Sequence, residues 1–378
     1  MKYNDYFPEW TKIFYLTGYF YLCLFLILYV LYLYRRCTAT MWISNGNNQI
    51  DVILSNVLYE NNIQQTYNNK DWTLYIPSSY DNVREEIDKI VGITSFSKIF
   101  IMDNADQLCC KNHIWTHLVN KYGRTQAQNI MPTTYVLYNY YDMELFEKEY
   151  NQNTIYILKK NIQQQKGLLI TKNKNDILNG FKNNYVIVQD LLQDPYLING
   201  RKINMRFYLL IICDNGQTTA YVFNDGFMYY TKNKFTKGTM DSDTNITTGY
   251  IDRQVYIDNP LTHGDFREHL NTKYENKNQS NVFFISVNNL LSNVVIAVKD
   301  VISRKDNKIW NTFNFQLFGV DIAVSDTLQP KLMEINKGPD LGVKDDRDKI
   351  IKTKLISDLL EIINLKQMSQ ENGYVQIF

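Results

Sequence analysis

Asn314–Leu341, NFQLFGVDIAVSDTLQPKLMEINKGPDL, is the stretch on which the reading of the fold turns. Alternation in Ile322-Ala323-Val324 and in Leu332-Met333-Glu334-Ile335-Asn336 predicts two strands, each buried on one face, paired antiparallel across the turn Ser325–Pro330. Asp321 closes the first strand pattern, and Glu334 and Asn336 close the second. Pairing would gather three oxygen ligands, and oxygen-only sets suit a hard cation such as Mg²⁺ that keeps positions for water and phosphate. Read locally, the same residues also fit turn-proximal polar groups and a solvated face. The rest of the chain has to decide between the two.

The length of 378 residues allows two or three lobes with their own cores. A formal net charge of +1 gives no electrostatic case for a nucleic-acid partner. Five cysteines, at positions 23, 37, 109, 110 and 213, are an odd number without framework spacing, which excludes a disulfide-rich secreted scaffold and fits a reducing compartment. Cys37 reads either as an acylation site or as an ordinary free thiol.

Residues 13–34, IFYLTGYFYLCLFLILYVLYLY, carry no charge and as a helix would span about 33 Å, enough for a hydrocarbon core of about 30 Å. They predict one transmembrane helix, stopped by Arg35-Arg36. Lys2 and Lys12 balance the two arginines, so charge leaves the orientation open. A cleaved signal peptide and a buried helix of a soluble domain are the other readings of this stretch.

Residues 42–124 read as a small α/β lobe of short strands and helices, with apolar runs at Val52-Ile53-Leu54, Trp72–Ile76 and Ile99–Met102. Cys109, Cys110, His113 and His117 invite a zinc reading that competes with a packing helix around Ile114 and Trp115. Further on, Ile155–Lys159 and Leu168–Thr171 flank a polar loop and Gly167, a hairpin that could fold over phosphates with Lys159 at its strand end. Val186–Gln189 predicts a short buried strand whose edge could meet a flat heterocycle. Gly200–Ile211 alternates so that Lys202, Asn204 and Arg206 share one face. A helix is expected over Val282–Ile302, and another from the acidic start Asp345-Asp346-Arg347-Asp348 through Ile363.

Taken in order, these segments resemble the tubulin-tyrosine-ligase-like family, whose catalytic domain has the ATP-grasp superfold. The resemblance runs from about Pro132 to Leu341 and weakly before that. YILKK and KGLLI are similar to the family's W-I-V-K-P strand and R-G-x-G-I loop, placing Lys159 on the phosphate lysine and Gly167 on the first loop glycine, with Leu169 at the second. VQDL resembles the V-Q-K-Y hinge, keeping Gln189 and putting Asp190 at the lysine. GRKINMR resembles G-R-K-F-D-L-R, with Lys202 and Arg206 kept and Asn204 at the aspartate. GFMY puts Tyr229 where G-x-x-R has arginine, and NITT keeps Thr247 of H-L-T-N, with Asn245 and Thr248 at the flanking His and Asn. FQLFGVD and LMEINKGPDL are similar to F-E-L-F-G-x-D and L-x-E-V-N-x-x-P-x-L, so Asp321, Glu334 and Asn336 fall on the magnesium positions.

The resemblance implies an α/β (α+β) ATP-grasp enzyme with ATP and Mg²⁺. Lys159, Gly167, Gln189, Lys202, Asn204 and Thr247 would contact nucleotide, Asp321, Glu334 and Asn336 would hold metal, and Arg206 with Lys202 would serve catalysis. The implied layout is residues 1–40 with the transmembrane helix, 41–130 a small α/β lobe, 131–200 a central ATP-grasp lobe, 201–366 a C-terminal ATP-grasp lobe, and 367–378 a tail. The expected reaction joins a free amino acid, glutamate foremost, to a carboxylate of a protein such as tubulin or a tubulin-like acidic tail through an acyl phosphate. A single-pass membrane protein with its large domain in the cytosol, where ATP is supplied, completes the expectation. Leu169, Asp190, Asn204 and Tyr229 keep two alternatives open: a membrane-anchored, nucleotide-binding scaffold, and a ligase for a non-tubulin substrate.

Overall fold

A computed structural model describes residues 19–29, 40–44, 50–162, 167–275, 278–304 and 308–378. Its spine is the long strand Arg201–Asp214, whose Phe207 to Cys213 are all buried because helices or other strands cover both faces. It pairs antiparallel with Phe313–Val324 over eleven registered positions, Asn204↔Ala323 to Asp214↔Phe313. Phe227–Thr231 and Gln217–Phe223 also pair antiparallel with it. Beyond Phe313–Val324 the sheet continues into the short parallel strands Lys98–Ile99, Leu74–Tyr75, Met41–Ile43 and Gln64–Gln65, giving a 12-stranded mixed sheet. The strands of the amino-terminal lobe therefore extend the same sheet that carries Asp321.

A second, 4-stranded sheet is wholly antiparallel, in the order Thr134–Val136, Ile187–Asp190, Tyr156–Lys159, Leu168–Thr171. The expected hairpin is present, with Lys159 opposite Leu168. The tip of its loop, 163–166, lies outside the described residues. This mixed α/β architecture of two sheets is consistent with the ATP-grasp organisation that the motif series implies.

Helix formation follows the caps. Asp345 accepts from the Asp348 N–H at 2.9 Å and starts Asp346–Ile362. Thr262 and Asp265 close a capping box at the head of His263–Lys273. Val52-Ile53-Leu54 opens the helix Val52–Glu60, because the Asp51 side chain caps Ile53 N at 2.8 Å. Gln279–Ile302 is long and apolar enough to cross a membrane, yet Phe283, Val287, Leu291, Val294 and Val298 are buried against the main core, and it packs on the helix Lys111–Tyr122 and the strand Pro330–Asn336.

The transmembrane expectation is not confirmed. Only Tyr19–Tyr29 of 13–34 is described, as a stretch of apolar helix with exposed side chains. Residues 13–18 and 30–34 lie outside the described residues.

Candidate nucleotide and metal site

Three adjacent strands carry the acidic side of the site. Phe313–Val324 and Pro330–Asn336 form the expected hairpin, with Asp321 opposite Glu334 and Asn336 opposite Gly319. A register shift between Asp321 and Ile322 follows the acidic pair, a local irregularity of the kind that re-aims side chains. Arg206 is registered directly across from Asp321 on the other side. Its Nε and Nη2 donate to Asp321 Oδ1 and Oδ2 at 2.7 and 3.1 Å, a bidentate pair whose side chains are 13% and 18% exposed. Burial works against the guanidinium charge, but Asp321 outweighs it and holds the Arg206 pKa above its ordinary value. Tyr229, opposite Asn204 on the next strand, sets its ring under that guanidinium, 5.2 Å from the ring centre. Burial raises the Tyr229 phenol to about 12.

Glu334 is engaged from the other lobe. Lys111 Nζ, at the head of the helix Lys111–Tyr122, reaches its Oε1 at 2.9 Å. Sequence reading passed Lys111 over, since it sits beside the Cys109-Cys110 pair and its partner is 223 residues away. The loop after Asn336 is held likewise: Lys337 pairs with Asp106 at 2.9 Å, and Gln316 donates to Lys337 O while accepting from Met102 N. A small polar pocket beside Tyr229, lined by Arg253, Asp340, Lys344, Asp348 and Lys352, also escaped the sequence, which read Asp345–Asp348 only as a helix start.

Lys159 and Lys202 are the electrostatic anomaly of the molecule. Both are buried, at 6% and 4% exposure, and neither has a carboxylate ion-pair partner among the described residues. Burial lowers Lys159 to about 8, with Lys111 and Lys202 adding to the fall and Glu334 and Asp321 opposing it. Burial alone brings Lys202 to about 8, its Nζ lying 3.4 Å from Leu192 O. A buried ammonium without a counterion is costly, and an anion in the site would relieve the cost.

Gln189 is almost fully buried; its Nε2 donates to Thr134 Oγ1 at 2.8 Å while Oε1 has no hydrogen-bond partner among the described residues. Asn204 Oδ1 and Asn245 Oδ1 are likewise buried acceptors without partners among the described residues. Such orphaned acceptors suit donors on a ligand, as an amino-substituted heterocycle and a ribose would supply. Gly167 has φ +70°, and a Cβ there would come within 2.9 Å of the Lys160 side chain, so the position requires glycine. Thr247 is buried on the strand pair Thr231↔Thr247.

Among the described residues no three His, Cys, Asp or Glu side chains converge on a metal position. The zinc reading of 109–117 finds no support, as His113 Nδ1 faces Asp106 O and His117 Nε2 faces Gln107 Oε1. The expected magnesium set is two carboxylates and one amide, and each carboxylate also meets a cation, Arg206 or Lys111. Its oxygen chemistry fits Mg²⁺ shared with phosphate.

The family model described as the tubulin-tyrosine ligase family matches residues 96–372. The chain belongs to this family. Among similar proteins, "Probable tubulin polyglutamylase TTLL9" of Mus musculus is 29% identical over 189 residues, covering 48% of this chain and 39% of the relative. "Tubulin polyglutamylase TTLL6" of Homo sapiens is 23% identical over 318 residues, covering 80% of this chain and 35% of the relative. The chain thus spans well under two-thirds of the length of these relatives. Tubulin-tyrosine ligase family members are ATP-dependent ligases that join amino acids to proteins.

Proposed function

We propose that this chain binds ATP with Mg²⁺ between its two sheets and ligates an amino acid, glutamate foremost, to a carboxylate of an acidic protein such as tubulin. The observation that carries this reading is that Lys159 and Lys202 are buried near each other with no carboxylate ion pair among the described residues, and that Lys159 also feels Asp321 and Glu334 of the hairpin that bears Asn336. The two lysines and Arg206 would bind and neutralise phosphate, Gln189 would accept from the adenine amine, and Asp321, Glu334 and Asn336 would hold the cation that screens the phosphates.

The acceptor carboxylate would attack the γ-phosphorus, the bond from that phosphorus to the bridging oxygen would break, and ADP would leave. The amine of the incoming amino acid would then displace phosphate from the resulting acyl phosphate, forming the amide and losing a proton. No covalent protein nucleophile is needed, so the residues act by orientation and charge.

Purified chain should bind ATP in a Mg²⁺-dependent way, lose that dependence in Glu334→Gln, and incorporate labelled glutamate into tubulin. Failure to bind ATP would refute the reading. A second reading, a nucleotide-binding scaffold, draws support from the closed Arg206–Asp321 and Lys111–Glu334 pairs and from Tyr229 in place of an arginine. It predicts ATP binding with no incorporation of any labelled amino acid into tubulin or lysate proteins. Incorporation into a non-tubulin protein would instead identify a ligase of altered specificity. The apolar 13–34 segment would anchor the chain with its large domain in the cytosol, and protection of that domain from protease in sealed vesicles would contradict this.

A further inference from the structure

The helix Lys111–Tyr122 begins badly by its own sequence. Its cap position is Cys110, which makes no side-chain cap hydrogen bond, and cysteine is not among the oxygen-bearing residues that cap well. The missing acceptor comes from another lobe. Asn161, two residues past Lys159, places its Oδ1 3.1 Å from the Lys111 N–H. The same amide donates through Nδ2 to Asn112 Oδ1 at 2.7 Å, and the buried Asn112 donates in turn to Tyr138 Oη at 2.8 Å. Tyr138 and Asn161 each follow a strand of the small sheet, so the helix head is held at two points at one end of that sheet's strands.

Lys111 is the node of this arrangement. Its main-chain N–H is fixed by the segment that follows Lys159, and its ammonium is fixed by Glu334 at 2.9 Å. Lys159 and Glu334 lie on different sheets, and among the described residues no strand pairing joins those sheets. Backbone bonds from the segment after the small sheet, Tyr196 N to Val324 O and Asp326 N to Asp194 O, tie the two together at the turn end of the hairpin, and the Asn161–Lys111–Glu334 chain of hydrogen bonds links the segment after Lys159 directly to Glu334.

We infer that Asn161 is a positioning residue: by capping the Lys111 helix from the small sheet, it sets the distance between the phosphate lysine Lys159 and the metal-side carboxylate Glu334. This rests on the nucleotide reading of the site and names a residue that reading does not use. A tight spacing matters because both groups must meet one triphosphate, and loosening by even an ångström weakens simultaneous contact. Asn161 itself touches neither phosphate nor metal in this scheme and acts through Lys111.

The test measures affinity of the full chain for ATP with Mg²⁺ by calorimetry, alongside thermal unfolding, in Asn161→Ala, Asn161→Asp, Lys111→Met and the double variant Asn161→Ala/Lys111→Met. Loss of two hydrogen bonds predicts a weakening of about tenfold in Asn161→Ala with little change in melting temperature. Asn161→Asp keeps the acceptor for the Lys111 N–H and should recover most of the loss. Because Asn161 acts through Lys111, adding Asn161→Ala to Lys111→Met should cost nothing further. Unchanged affinity in Asn161→Ala, or the same loss again in the Lys111→Met background, would overturn the proposal while leaving the nucleotide site standing. A wild-type chain without ATP affinity would overturn the nucleotide reading and this one with it.

Discussion

Raising the pH through about 8 should release ATP from this chain, long before an ordinary lysine loses its proton. Lys159 and Lys202 are the perturbed groups, each lowered from 10.5 to about 8, Lys159 by burial and the neighbouring Lys111, Lys202 by burial. The sign follows from which form binds: only the ammonium holds phosphate, so affinity is fully present well below pH 8 and is lost as the pH rises through it. Between pH ~7.5 and ~9 a group titrating at about 8 goes from about three-quarters to about one-tenth protonated, a loss of about eightfold in affinity per lysine and roughly seventyfold for both. A lysine at its ordinary value would change by only a few per cent over that range. Calorimetric titration with ATP and Mg²⁺ across this window reads the slope directly. Lys159→Arg should keep its charge and reduce the slope to that of Lys202 alone. Affinity constant to within about twofold over the window would refute the placing of these two ammonium groups against phosphate.

Other perturbations test the frame around them. Asp321→Asn keeps the side-chain shape but leaves the largely buried Arg206 charge unpaired, and should cost about 3 kcal/mol in urea unfolding. In Gly319→Ala the new Cβ would stand 3.1 Å from Arg206 Nη1 and 3.3 Å from Pro339 Cβ. Shifting the guanidinium there should weaken ATP by about fivefold at a stability cost of about 1 kcal/mol. Glu361 is a purely structural control: burial opposes its charge, but bonds from Ser369, Asn372 and Lys366 outweigh it and bring it from 4.5 to about 2. Its contribution is therefore present above pH 4.5 and lost as the pH falls through 2, so Glu361→Gln should remove roughly 3 kcal/mol at neutral pH and flatten the acid limb of stability without altering ATP affinity.

Local patterning made the Asp321–Glu334 hairpin legible, because a period of two with a polar turn admits few alternatives, although Asp321 and Glu334 face each other inside the strands Phe313–Val324 and Pro330–Asn336 and do not close them. The 156–171 hairpin was equally legible, and both later helices were placed to within a few residues. Val52–Glu60 was harder to read, since a short apolar run has no period of its own and the Asp51 cap decides it. Long-range side-chain pairing was not legible at all. The Lys111–Glu334 and Lys337–Asp106 bonds join segments more than two hundred residues apart, and nothing in CCKNH or INKGPD signals the partner. The small polar pocket beside Tyr229 likewise depends on helix Asp346–Ile362 folding back beneath a strand, which is a matter of tertiary packing.

The most direct measurement is transfer of labelled glutamate to tubulin by the purified chain with ATP and Mg²⁺, with Glu334→Gln assayed beside it. A ligase built on Lys159, Lys202, Asp321, Glu334 and Asn336 predicts ATP-dependent label in an amide bond to the protein and its loss in the variant. ATP bound by the wild-type chain with no label transferred to tubulin would contradict it.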